Sequence, residues 1–139
     1  MSQVVILHVE DDPDDAFFVA RALSNALPKC VVKLVKDGRE AIEYLERSDE
    51  VSNTDNPNAD LVLLDLKLPD VSGFEVLQWI RSEPRFKNLP VFILSGSSIV
   101  ADRERCQKLG AHAYIVKTVD YEDVVTHVAA LVKDKLVLG

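Results

Sequence analysis

Short apolar runs alternate with amphipathic stretches along nearly the whole chain, and this alternation limits the possible folds more than any other feature. Each run is four to six residues long and rich in Val, Ile and Leu, which is typical of strands buried on both faces. The runs predict five strands: Val4–Val9, Val31–Val35, Leu61–Leu64, Val91–Leu94 and Ala111–Val116.

The stretches between the runs predict five helices. The first begins after Asp12, an N-cap followed by Pro13, and Pro28 stops it. The others have apolar residues at helical spacing: Ala41, Ile42 and Leu45 after an Asp37-Gly38 turn; Phe74, Leu77 and Ile80; a thin stripe of Ile99, Cys106 and Leu109 before Gly110; and Val124, Val125, Val128, Leu131 and Val132 after Asp120. Residues 48–59 are polar without a period and predict a surface loop.

Five strand–helix units in this order predict an α/β fold with helices on both faces of a parallel sheet. Right-handed crossovers leave few topologies, and the doubly wound strand order 2-1-3-4-5 fits a chain of 139 residues best. We expect residues 1–139 to form a single domain.

Charge and hydropathy exclude several classes of function. The net charge is -7 and no basic patch is visible, so we expect no direct binding to nucleic acid. No apolar run approaches the ~20 residues of a membrane span, and the N-terminus lacks the features of a signal peptide. Cys30 and Cys106 have no metal-type spacing and predict reduced thiols. We therefore expect a cytoplasmic protein without membrane insertion.

Chemically active side chains follow four of the predicted strands. Strand one ends at Glu10 and Asp11, strand three at Asp65, strand four at Ser95 and strand five at Lys117. Ligands of doubly wound sheets bind beyond the carboxyl ends of the strands, so we expect these side chains to meet at one edge.

This set of residue types points to phosphoryl chemistry. Crowded carboxylates repel one another and favour a bound cation, and an all-oxygen site suits Mg²⁺ or Mn²⁺. A carboxylate can act as a nucleophile and form an aspartyl phosphate. A lysine and a hydroxyl can each bind a phosphoryl oxygen. The residues therefore predict phosphoryl transfer to an aspartate.

The segments VEDD, LLDLKLPDVSGFEVL, ILSG and AYIVK occur in the order seen in one known family. With them, residues 3 to 133 resemble the receiver domain of two-component response regulators, a CheY-like fold without enzyme activity of its own. The chain also resembles the single-domain subgroup with an extended loop before strand three, in which some partners are phytochrome-type histidine kinases.

The resemblance implies a role for each site residue. Asp65 would be the phosphoacceptor, and the donor would be a phosphohistidine on a sensor histidine kinase or a phosphotransfer protein. The metal would bind Asp11 and Asp65 directly, Glu10 often through water, and the backbone carbonyl of Lys67. Lys117 would pair with the phosphoryl group, Ser95 would be the switch hydroxyl, and Tyr114 would be the aromatic residue that changes rotamer.

Three residues depart from the family pattern. Thr118 stands where the family has a proline after the lysine, which leaves the placement of Lys117 to be tested. His8 stands at a usually apolar position, and we expect a hydrogen-bonded strand histidine. Asp12 is assigned to the helix cap, although a shift of one residue would make it a metal ligand. Asp14 and Asp15 are assigned to the positive end of the first helix dipole.

Three alternatives remain open from sequence. A metal-dependent phosphatase would need an Asp-x-Asp pair after strand one, a flavodoxin-like carrier would need phosphate-binding Ser, Thr and Gly residues there, and a phosphorylation-independent adaptor would need neither Asp65 nor Lys117. For a receiver, we expect the face of helix four, strand five and helix five to bind a downstream protein or a second copy.

Overall fold

The computed structural model describes residues 4–48 and 57–117, together with positions 126, 129, 130 and 133. Its five strands form one parallel sheet in the order β2-β1-β3-β4-β5, as predicted. The strands are β1 (Val4–Val9), β2 (Cys30–Val35), β3 (Leu61–Leu64), β4 (Val91–Ser95) and β5 (Ala113–Val116). The helices are α1 (Pro13–Ala26), α2 (Gly38–Arg47), α3 (Gly73–Ser82) and α4 (Val100–Lys108), with a short 3₁₀ helix at Pro84–Phe86.

Alternate residues of each strand face opposite sides of the sheet and form two cores. On one side, Leu7 and Leu64 are fully buried against α2 and α3. On the other side, Ile6 and Leu63 are fully buried against α1. Burial on both sides explains why the strands read as continuous apolar runs instead of alternating patterns.

Side-chain caps fix where three helices begin. Asp12 accepts hydrogen bonds from the amides of Asp14 and Asp15, and Pro13 occupies the first turn of α1. Asp37 caps α2 in the same way through the amide of Glu40, and Ser72 caps α3 through the amide of Glu75. The prediction that Asp12 is the cap of α1 is therefore confirmed.

Four local predictions need correction or fall outside the described residues. The Asp37-Gly38 turn is the N-cap and first residue of α2. Strand β5 begins at Ala113 instead of Ala111. Ile99 does not face the core, because it precedes α4 with 63% of its surface exposed. The predicted fifth helix lies largely outside the described residues, although positions 126, 129, 130 and 133 are helical.

Among the residues that the structure describes, no helix has the length and apolar character required to cross a bilayer.

Candidate functional site

Backbone hydrogen bonds carry the sheet one residue beyond three of its strands, and these residues belong to the site. The amide of Glu10 donates to Val35 at 3.0 Å, and the amide of Asp65 donates to Val9 at 3.2 Å. The amide of Lys117 donates to Ser95 at 2.7 Å. The sheet itself therefore sets the positions of Glu10, Asp65 and Lys117, and the side chains of these three residues meet at one edge as predicted.

The carboxylate of Asp65 is buried, and protein groups contact both of its oxygens. Oδ1 accepts a hydrogen bond of 3.1 Å from the amide of Lys67. Oδ2 lies 3.2 Å from Nζ of Lys117. This arrangement holds the carboxylate in one orientation at the edge of the sheet.

Gly73 allows α3 to begin directly against the segment that carries Asp65. Its amide donates to the carbonyl oxygen of Leu66 at 3.0 Å. A Cβ atom at position 73 would overlap the carbonyl oxygen of Asp65 and lie 2.6 Å from Cα of Leu66. The glycine is therefore required by the close approach of two backbones.

Glu10, Asp11 and Asp65 each place a carboxylate oxygen in one cluster whose atoms all lie within 4.8 Å of one another. Asp11 is exposed and the other two are buried, so the cluster opens to solvent on one side. Three carboxylates without nitrogen or sulfur ligands fit a hard divalent cation such as Mg²⁺ or Mn²⁺. Asp12 is engaged as the helix cap, and the role predicted for the carbonyl of Lys67 stays a prediction.

Lys117 lies among three carboxylates. Its Nζ atom is 2.5 Å from Oε1 of Glu10, 3.0 Å from Oδ2 of Asp15 and 3.2 Å from Oδ2 of Asp65. Burial disfavours the ammonium, but the hydrogen bond to Glu10 and the surrounding carboxylates outweigh it and raise the pKa of Lys117 above its usual range. The lysine therefore stays charged at any physiological pH.

The carboxyl group of Glu10 titrates near neutral pH. Burial raises the pKa of Glu10 to about 7, with a further contribution from the charge of Asp65, and the hydrogen bond from Lys117 opposes this shift. A bound cation would favour the ionised form, because metal ligands must be deprotonated.

Asp15 is a site residue that the sequence analysis missed. It was assigned to the helix dipole, but its side chain reaches Lys117. The signal was present in the helical spacing, because Asp15 lies four residues before the buried Val19 and therefore near the inward face of α1.

Ser95 and Tyr114 are connected through Ser97. The buried hydroxyl of Ser95 accepts a hydrogen bond from the amide of Ser97 at 3.2 Å. The hydroxyl of Ser97 donates to Asp102 of α4 at 2.7 Å, and Tyr114 lies on the neighbouring strand with its hydroxyl bonded to the same loop. The structure thus links both predicted switch residues to the start of α4.

One ring nitrogen of the buried His8 lacks a hydrogen bond. Its side chain is 1% exposed, and Nδ1 has no hydrogen-bond partner in the described part of the protein. Burial and the nearby charge of Lys117 lower the pKa of His8 to about 4. The imidazole is therefore neutral under physiological conditions.

Comparisons with known proteins agree with this geometry. A sequence model of the response regulator receiver domain matches residues 6–129. Response regulator Rcp1 of Synechocystis is 33% identical over 120 residues, which are 86% of this chain and 80% of Rcp1.

Two solved structures are similar over almost their whole length. The phosphorylated cyanobacterial phytochrome response regulator RcpA has a TM-score of 0.87 at 33% identity, and the match covers 99% of this chain and 97% of RcpA. The Mn²⁺-bound form of Rcp1 has a TM-score of 0.81 at 30% identity, and the match covers 94% of this chain and 92% of Rcp1.

Other curated relatives are longer than this chain. The match covers 24% of a probable cyclic di-GMP phosphodiesterase from Vibrio cholerae, at 34% identity over 119 residues and 86% of this chain. It covers 53% of two-component response regulator ARR3 from Arabidopsis thaliana, at 32% identity over 124 residues and 88% of this chain.

Proposed function

The chain belongs to the family of response regulator receiver domains of two-component signalling, and from this premise we propose that Asp65 is the aspartate that accepts the phosphoryl group. Receiver domains are phosphorylated on aspartate and are generally not enzymes. One observation carries the assignment. Asp65 shares a carboxylate cluster that fits a divalent cation with Glu10 and Asp11, and its Oδ2 atom lies 3.2 Å from Nζ of Lys117.

The transfer uses the groups at the strand ends. A carboxylate oxygen of Asp65 attacks the phosphorus of a phosphohistidine; the new P–O bond forms as the P–N bond breaks, and the imidazole leaves with the electron pair. Lys117 pairs with a phosphoryl oxygen. Mg²⁺ or Mn²⁺ held by Glu10, Asp11, Asp65 and the carbonyl of Lys67 would neutralise charge on the phosphoryl group.

The response passes through Ser95 and Tyr114. A phosphoryl group on Asp65 would attract the hydroxyl of Ser95, and this change would move the loop that also binds Tyr114. The outcome is a shift between two conformations of α4 and β5. Of the four described α-helices, α4 has the fewest buried residues, with Cys106 alone, so we propose that it is the most easily displaced of these helices. We propose that α4, β5 and the predicted fifth helix bind a downstream protein or a second copy.

Receiver domains interact with histidine kinases or phosphotransfer proteins, which are the phosphodonors. The similarity to RcpA across 99% of this chain supports a phytochrome-type kinase as the donor.

The described residues form one sheet with a core on each face, which supports one domain over residues 1–139. Free Cys30 and Cys106 support a cytoplasmic location.

Intact-mass spectrometry tests the proposed function. Wild type and Asp65→Asn are incubated with Mg²⁺ and a small acyl phosphate, with Asp14→Asn as a control because Asp14 is exposed and outside the cluster. We expect one phosphoryl adduct on wild type and Asp14→Asn, and none on Asp65→Asn. Wild type should also gain no adduct when EDTA is present throughout the incubation. An undiminished adduct on Asp65→Asn contradicts the assignment. Continuous phosphate release from phosphomonoesters would favour the phosphatase alternative.

A further inference from the structure

We propose that Asp15 is a positioning residue that directs the Lys117 ammonium toward Asp65. The inference rests on the proposed phosphoacceptor role of Asp65. Asp15 contributes no atom to the carboxylate cluster of Glu10, Asp11 and Asp65, so its action on the reaction passes through the lysine.

The Lys117 ammonium has as many N–H donors as it has carboxylate neighbours. An ammonium group has three N–H bonds, and Lys117 has three carboxylate neighbours, Glu10, Asp15 and Asp65. Contacts to Glu10 and Asp15 use two of these N–H bonds and fix the rotation of the group. The third N–H then points to Oδ2 of Asp65, next to the place that the transferred phosphoryl group and its oxygens would occupy.

A cation in the carboxylate cluster would compete with Lys117 for two of these three carboxylates. Glu10 and Asp65 both belong to the cluster that fits a divalent cation, so a bound cation would share their oxygens. Asp15 is outside that cluster, so a cation bound there would leave its contact with the lysine in place. It is therefore the one of the three carboxylates whose contact with Lys117 does not compete with the cation.

The backbone of Asp15 is itself firmly held. It lies in the first turn of α1, where Asp12 accepts a hydrogen bond from its amide at 3.2 Å and Pro13 restricts the backbone. The side chains of Asp15 and Lys117 are each only 16% exposed, so solvent screens the ion pair weakly. Asp15, held in the first turn of α1, thus restricts the flexible side chain of Lys117 at the end of β5.

The rate of phosphorylation by a small acyl phosphate, at saturating Mg²⁺, tests this role. We expect Asp15→Ala to react about tenfold more slowly than wild type, because a displaced charged group loses much of its effect on the reaction. Asp15→Asn should recover most of the rate, since its amide oxygen can still accept a hydrogen bond. Asp14→Ala removes the same charge from the same helix turn without a described contact to Lys117 and should react at the wild-type rate.

A double-mutant cycle shows whether the effect passes through the lysine. In a Lys117→Ala background, Asp15→Ala should cause no further loss of rate. If Asp15→Ala reacts like Asp14→Ala, or if its loss persists undiminished without the lysine, the inference is wrong.

A second readout is independent of phosphorylation. In ¹⁵N-lysine NMR at low temperature, the hydrogen-bonded Lys117 ammonium should give a slowly exchanging signal in wild type and Asp14→Ala, and this signal should broaden in Asp15→Ala. An unchanged signal in Asp15→Ala overturns the inference even if wild type accepts no phosphoryl group. Absence of the wild-type adduct alone contradicts the proposed function instead.

Discussion

The hydroxyl of Tyr114 donates a hydrogen bond of 2.8 Å to the carbonyl oxygen of Ser97. This bond joins strand β5 to the loop between β4 and α4, two residues beyond Ser95. Because the amide of Ser97 also bonds to the Ser95 hydroxyl, a change at Ser95 has a direct route to Tyr114.

Removal of the Tyr114 hydroxyl should weaken this connection specifically. We expect Tyr114→Phe to lower the free energy of unfolding by about 1 kcal/mol, because the carbonyl of Ser97 loses its partner. Tyr44→Phe is the matched control, since the Tyr44 hydroxyl also donates to a backbone carbonyl, that of Pro57, at 2.8 Å.

Urea denaturation measures the stability of both tyrosine variants, and NMR measures the loop. Both variants should lose a similar free energy, but only Tyr114→Phe should shift the amide signals of residues 96–102. Equal shifts in the Tyr44→Phe variant would contradict a specific connection between β5 and this loop.

Binding of Mg²⁺ should depend on pH through Glu10. The pKa of Glu10 is raised to about 7 without metal, so a proton must leave before the carboxylate can bind the cation. Affinity should therefore be constant above pH 7 and fall by up to about tenfold per pH unit below it. Calorimetric titration between pH 5.5 and 8 measures this slope. Glu10→Gln should bind Mg²⁺ more weakly, and its affinity should not fall in this way below pH 7. An unchanged fall of affinity in that variant would exclude Glu10 as its source.

His8 should make the protein less stable in mild acid. Its pKa is about 4 in the folded state and about 6.5 when unfolded, so the unfolded chain binds the proton more readily between these values. Stability is full above pH 6.5 and is lost as the pH falls toward 4. We expect wild type to lose about 2 kcal/mol between pH 7 and 4.5 relative to His8→Leu.

Paired urea titrations of wild type and His8→Leu measure this difference and cancel the titration of groups common to both proteins, including Glu10. A constant difference across the pH range would show that His8 does not titrate in this way.

Substitution of Gly73 should disturb Asp65 through the backbone. The added Cβ of Gly73→Ala would overlap the carbonyl oxygen of Asp65, so α3 or the loop must move. We expect a loss of about 2 kcal/mol in stability together with slower phosphorylation. Gly96→Ala is the control, because nothing lies within 4 Å of a Cβ at that position. The lower backbone entropy of an unfolded chain with alanine stabilises the folded state slightly. A similar stability loss in both variants would therefore contradict a steric clash specific to position 73.

The sequence predicts the sheet and most of the site for a physical reason. Strands buried on both faces must be apolar, so a polar residue such as Asp65 directly after such a run marks the strand end. Parallel order then brings these ends to one edge, where Glu10, Asp65 and Lys117 meet. Side-chain pairs are harder to predict, because Asp15 and Lys117 are 102 residues apart and no local pattern specifies their contact.

The usual relation between hydrophobicity and burial fails at two positions. Ile99 fits a helical stripe, yet it precedes α4 and lies exposed. His8 is polar, yet it is buried in β1 between β2 and β3, and Nδ1 has no hydrogen-bond partner in the described part of the protein. Hydrophobic periodicity reports average burial, and both positions depart from that average.

The most direct test of the central claim is the chemical identification of the phosphorylated residue. Borohydride reduces an aspartyl phosphate to homoserine, and tandem mass spectrometry of the tryptic peptide 48–67 then shows which of its aspartates has changed. We predict homoserine at position 65 alone, and none in protein treated without phosphodonor. Homoserine at another aspartate with position 65 unchanged would contradict the account.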